Sequence, residues 1–223
     1  SSRDYCERPM MADPHPPSTR RCRPMPVRRT LLASSILLIA GGMVLGAVTD
    51  RFQAFTTETA RRVEVHAHPR AVSAIALETQ SGARINLADL RGKWLLVDFI
   101  YTRCMTWCTV LGGEFAQLQD RLATPLALGK AQLLSISFDP THDTPSQLGD
   151  YLKRSRSRGP DWLAARPLDA DGLRTLEREF GITVIPDGMG GYVHNAAIQV
   201  VDPQGRLVDI LDIGNPGLVG ETA

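Results

Sequence analysis

VDFIYTRCMTWCTVL, residues 97–111, runs from an apolar segment straight into two cysteines, Cys104 and Cys108, with three residues between them. Residues 94–100, WLLVDFI, are rich in aliphatic and aromatic side chains and predict a buried strand. Downstream, Phe115, Leu118 and Leu122 recur at helical spacing, which predicts a helix over residues 114–122. The cysteine pair therefore sits where a strand gives way to a helix. Such a junction suits reactive sulfur, because unpaired N–H groups and the positive end of the helix dipole both favour thiolate over thiol. On a first helical turn, cysteines at i and i+4 have Cβ atoms about 5 to 6 Å apart. They can then grip one soft metal ion or, after modest adjustment, close a disulfide.

From about residue 72 the chain alternates strand-like and helix-like segments, the pattern of an α/β fold around a central sheet. Residues 73–78 and 84–86 flank a glycine-bearing loop and predict a hairpin, followed by a helical turn stopped at Gly92. Residues 133–138 predict another strand. Thr144, Pro145 and Gln147 form a capping-box start for a helix through Arg154. A short strand is expected at residues 162–165. A helix over residues 169–180 carries Leu173, Leu176 and Phe180 on one stripe, with Gly181 as its C-cap. Residues 183–193, TVIPDGMGGYV, have no regular pattern and read as a loop that delivers His194. Residues 197–201 and 206–210 flank Asp202-Pro203-Gln204-Gly205 and close the domain with an antiparallel hairpin.

The front of the chain differs in kind. Seven arginines against three acids give the first thirty residues a charge of +4, so the rest carries −3 of a total of +1. Six prolines lie within residues 1–26, and residues 1–30 are expected to form a disordered basic tail. Cys6 and Cys22 fall in that tail as incidental thiols, and Met10 or Met11 offers a start site. Residues 31–48 hold no charge and are long enough for a short transmembrane signal anchor, with arginines holding the N-terminal side in the cytoplasm. A cleaved signal peptide, cut near Gly46 and Ala47, is the alternative. Residues 49–71 read as a linker or an amphipathic lead-in ahead of a domain at 72–223, and His66 and His68 within it as solvated side chains. A nucleic-acid partner is not expected.

Asp98-Phe99-Ile100-Tyr101-Thr102-Arg103-Cys104 with Cys108, Ser137-Phe138-Asp139-Pro140 with Asp143-Thr144-Pro145, and His194 ahead of Asp202-Pro203-Gln204-Gly205 occur in one order. In this the chain resembles the SCO/SenC copper chaperones over roughly residues 72–213. The resemblance implies a thioredoxin-like fold, with a mixed central sheet flanked by helices. It also implies a copper ion, Cu(I) or Cu(II), bound by Cys104, Cys108 and His194. The implied task is delivery of copper to the copper-binding subunit of cytochrome c oxidase, in company with other copper chaperones. A bacterial chain of this kind would sit in the inner membrane by a single pass, with its C-terminal domain in the periplasm. One departure is the interior Met105-Thr106-Trp107, which lacks the proline that commonly follows the first cysteine in that family.

Two thiolates and an imidazole suit copper and lack the fourth protein ligand of a closed structural zinc site. The same cysteines, if redox-active, are the catalytic residues of a thiol–disulfide oxidoreductase or a peroxiredoxin-like enzyme. A structural disulfide is the plainest alternative. Asp98, an acid in an apolar strand, either tunes the cysteines or is a satisfied structural carboxylate. Asp139 and Asp143 are explained by caps and turns, and Met105, Trp107 and Met189 by packing.

Overall fold

The computed structural model describes residues 27–48, 57–104 and 107–211. The chain divides into two compact units, Ser1–Arg51 and Phe52–Ala223. The first contains helix α1 (Val27–Val48), which covers the segment expected as an anchor and begins ahead of it. Its apolar side chains meet no core of their own, with Leu37 and Leu38 each 77% exposed. Among the described residues no helix is long and apolar enough to cross a membrane. Residues 1–26, with Cys6, Cys22 and most of the expected disordered tail, lie outside the described residues.

The second unit is a mixed sheet with helices against both faces, as the alternating pattern predicts. Strands β1 (Arg70–Ala71), β2 (Ala76–Thr79), β3 (Arg84–Asn86), β4 (Trp94–Ile100), β5 (Ala131–Ser137), β6 (Trp162–Pro167), β9 (Ile198–Val201) and β10 (Arg206–Leu211) form one sheet. Their order is β1-β10-β9-β4-β5-β6-β2-β3. The centre, β4, β5 and β6, is parallel, and its strands are buried along almost their whole length, as in a sheet covered on both sides. Strands β7 (Val184–Pro186) and β8 (Tyr192–His194) pair separately as a small antiparallel hairpin.

Helices α3 (Trp107–Arg121) and α5 (Pro145–Arg154) cover one face, where Phe115 and Tyr151 both pack on Trp162 of β6. Helix α4 (Ala123–Ala127) is a short link into β5. Helix α6 (Ala170–Phe180) covers the other face through the Phe99–Phe180 ring contact, with centroids 5.2 Å apart. Successive strand residues point to opposite faces, so Asp98 points away from Phe99, toward α3 and α5.

The stretch expected as linker is structured in part. Residues Thr57–Ala67 form helix α2, whose Val65 is fully buried in the domain core and which packs on β10. Its charged residues help to dock it. The Arg61 guanidinium holds Glu58 at 2.6 Å and donates to the Phe180 carbonyl at the end of α6. Burial pushes the Glu58 carboxyl up, but the Arg61 hydrogen bond and charge outweigh it and hold it below its ordinary value. His66 and His68 are exposed.

The caps expected at the start of α5 and the end of α6 are present, and Asp169 adds an N-cap to α6. Gln147 accepts from the Thr144 N–H at 2.8 Å. Asp169 accepts from the Gly172 N–H, and Gly181 ends α6 in the left-handed conformation at φ 63°. A Cβ at Gly181 would also meet the Arg61 side chain. Gly181→Ala is therefore expected to lower unfolding stability by about 1 to 2 kcal/mol, measured as a shift of the urea midpoint at unchanged slope.

Candidate metal centre

Cys104 lies ahead of α3 rather than on its first turn. It closes a turn in which its N–H donates to the Tyr101 carbonyl, and its side chain is half-buried against the core. Two buried carboxylates fasten the residues before it. Asp143 accepts from the Thr102 N–H at 3.0 Å, the Thr102 hydroxyl at 2.6 Å and the Ser137 hydroxyl at 2.6 Å. Asp139 accepts from Arg103 Nη2 and His142 Nδ1, each at 2.8 Å. Burial raises the Asp139 pKa, but hydrogen bonds from His142, Arg103 and Thr141 outweigh it and keep the group below its ordinary value. Caps and turns alone do not account for these acids: they tie the Cys104 turn to the loop between β5 and α5.

Cys108 falls in the first turn of α3. Its side chain, with those of Met105 and Trp107, lies outside the described residues. Met189 is not packed but 89% exposed, at the tip of the β7–β8 hairpin.

That hairpin is the part of the expected loop that proves regular. The Asp187 carboxylate accepts from the N–H groups of Met189 at 2.7 Å and Gly191 at 2.9 Å, bonds that lower its pKa. Gly188 and Gly190 supply the positive φ angles the turn needs. At the base, Asn195 accepts from the Thr183 N–H at 2.7 Å and donates to the Gly181 carbonyl at 2.9 Å.

An aromatic bridge joins the hairpin to the cysteine turn. The Tyr101 ring meets Tyr192 edge-on at 5.2 Å, and the Tyr192 N–H donates to the Tyr101 hydroxyl at 3.3 Å. Phe138 packs against Tyr101 at 5.4 Å and against the His194 ring at 5.0 Å. Sequence patterns gave no sign of this bridge, because each ring follows or begins a different element and none recurs at a fixed spacing.

The two His194 nitrogens are buried and have no hydrogen-bond partner among the described residues. Desolvation lowers the His194 pKa and keeps the imidazole neutral, the form that ligates metal. Buried polar groups are normally hydrogen-bonded, and each exception needs an explanation. An unpaired imidazole and a thiol, held to one end of the sheet, match the soft and borderline donors copper takes. Among the described residues no three His, Cys, Asp or Glu side chains group as a metal site.

Asp98 is fully buried on β4 and aligned with Ser135 on β5. Among the described residues both its carboxylate oxygens lack a hydrogen bond of full geometry, while the Ser135 hydroxyl accepts from Trp162 Nε1 at 3.0 Å. Burial dominates, and the nearby hydroxyls of Ser135 and Tyr151 only partly oppose it, so the Asp98 pKa is pushed up to about 7.

Residues 64–217 match the SCO1/SenC family. The chain belongs to the SCO1/SenC family. It is 30% identical over 220 residues to the human mitochondrial protein SCO1 homolog, covering 92% of this chain and 72% of that one. Among solved structures, Bradyrhizobium japonicum ScoI with copper bound is 24% identical and superposes with a TM-score of 0.55, over 65% of this chain and 90% of the other. BsSco, a member of the Sco family of cytochrome c oxidase assembly proteins in which a disulfide switch has been identified, gives a TM-score of 0.59 at 20% identity, over 69% and 92% of the two chains. These likenesses carry the fold, and the SCO1/SenC motifs lie where the family match runs.

Proposed function

We propose that this chain is a copper metallochaperone that carries one copper ion on Cys104, Cys108 and His194. We propose further that it hands the ion to the copper-binding subunit of cytochrome c oxidase. The observation that carries this reading is the buried His194 imidazole, without a hydrogen-bond partner among the described residues, on a hairpin bridged to the cysteine turn. Two thiolates and one imidazole leave room for an incoming ligand from a partner, so copper can pass by ligand exchange. Membership of the family, copper in ScoI and the oxidase-assembly role of BsSco's family support it. The uncharged stretch 31–48 behind an arginine-rich segment supports membrane attachment.

Anaerobic titration of the reduced full chain with Cu(I) is expected to reach one ion per chain. Affinity should fall as pH drops, because protons compete for the thiolates. A reduced chain that binds no copper would sink the proposal.

A second reading uses the same sulfurs. A thiolate of the pair attacks a partner's disulfide, forming a mixed disulfide and releasing one partner thiolate. The other cysteine then displaces the second, leaving this chain oxidised by two electrons and the partner reduced. The half-buried Cys104 at the edge of an open cleft favours it. Copper-free turnover of a disulfide substrate, retained in His194→Ala, would separate this reading from the first.

A further inference from the structure

Beside Cys104, on the α3–α5 face, lies an open cleft of about 1060 Å³. Its lining includes Thr102, Cys104 and Tyr151 and, at the end of α5 and just beyond it, Arg154, Arg156 and Arg158. All three arginines are exposed. Against them stands one acid of the lining, Asp120, which pairs with Arg158. Among the described residues Arg154 reaches only the Thr102 carbonyl, at 3.4 Å. The Arg156 guanidinium has neither an ion pair nor a hydrogen bond among the described residues.

The backbone marks Arg156 again. Helix α5 ends with the Ser157 N–H on the Leu152 carbonyl and the Arg156 N–H on the Lys153 carbonyl. This is a Schellman ending, whose left-handed position glycine normally fills. Here it is Arg156 at φ 61°, the sole non-glycine residue with positive φ among the described residues. Such an angle is unfavourable for a side chain and points to a use for it. The local charge also runs against its background, since the chain beyond residue 30 carries −3.

We propose that this arginine-lined cleft docks an acidic peptide segment of a partner protein and so brings the partner to Cys104. Guanidinium groups at alternate positions match carboxylates in planar, two-bond geometry. The space slightly exceeds the usual range for small-molecule pockets, roughly 300 to 1,000 Å³, and it is open, which fits an extended segment. The proposal names the kind of partner for the cysteine site and so rests on the chaperone reading.

The test uses the full chain, a fluorescein-labelled peptide of Glu-Gly repeats and a matched Lys-Gly peptide, followed by fluorescence anisotropy. The acidic peptide should bind and the basic one should not, with binding weakening as salt rises. Arg156→Glu should weaken it about tenfold, because a like charge now faces the carboxylates. Arg156→Gly should weaken it about threefold, as loss of one exposed ion pair does, while leaving the melting temperature unchanged or raised, because glycine relieves the backbone. Acidic-peptide affinity that is equal in the unaltered chain and Arg156→Glu would overturn the proposal, as would tighter binding of a short single-stranded oligonucleotide. Cu(I) stoichiometry in the same variants should stay at that of the unaltered chain. Docking that fails with copper binding intact condemns this proposal, whereas copper binding that fails with docking intact condemns the chaperone reading.

Discussion

His194→Ala is expected to weaken copper binding by at least about a hundredfold, since losing even an outer partner of a metal ligand costs 10- to 100-fold. Cys104→Ser should cost more, because a hydroxyl replaces a soft thiolate. The fold should tolerate the histidine change. Its nitrogens have no hydrogen-bond partner among the described residues, so truncation orphans none of their polar groups. What is lost is packing on Phe138, whose ring centroid lies 5.0 Å from that of His194. Anaerobic competition against a Cu(I) chelator, with a urea melt of the same sample, reads both quantities. Unchanged copper affinity in His194→Ala would remove the histidine from the ligand set, and a collapsed melt would show that its role is structural.

Asp98→Asn is expected to flatten the stability–pH curve across the window from about pH 4 to 7. The folded group titrates near 7 where an unfolded aspartate titrates near 4. Its folded pKa is raised, so its contribution is fully present below the unfolded value and is lost as pH rises through the folded one. At about 1.4 kcal/mol per pKa unit, the shift bounds the loss at about 4 kcal/mol between pH 4 and 8. Asparagine keeps the shape and removes the charge, so the variant should be the more stable of the two at pH 8 and differ least at pH 4. Urea midpoints of both proteins at pH 5 and pH 8 provide the test. The difference between the proteins isolates Asp98 from His194, whose depressed pKa works the other way, losing stability as pH falls below about 6.5. Parallel curves for the two proteins would show that the Asp98 carboxyl is not held in its neutral form.

Much of the fold was legible locally. Strand β4 occupies the residues its apolar run marks, α5 starts at its capping box, and α6 ends at Gly181, since each signal acts within a few residues. Helix α2 was legible only as an amphipathic lead-in, because its docking through Arg61, Glu58 and the Phe180 carbonyl joins residues far apart in sequence. The β7–β8 hairpin was not legible. Its strands are three residues each, too short for an alternation to register, and its glycines and Pro186 mask what remains.

The amino-acid sequence by itself determined the strand leading into Cys104 and Cys108, the caps that bound the helices, and the donors available to a metal. Those are matters of side-chain chemistry and of neighbours along the chain. Only the tertiary structure decided that Tyr101, Phe138 and Tyr192 bridge His194 to the cysteine turn, and that Asp139 and Asp143 tie that turn down. Packing alone also desolvated Asp98 and set Arg156 in the lining of a cleft that opens at Cys104. Burial and the approach of residues far apart in sequence are properties of packing, and no local pattern encodes them.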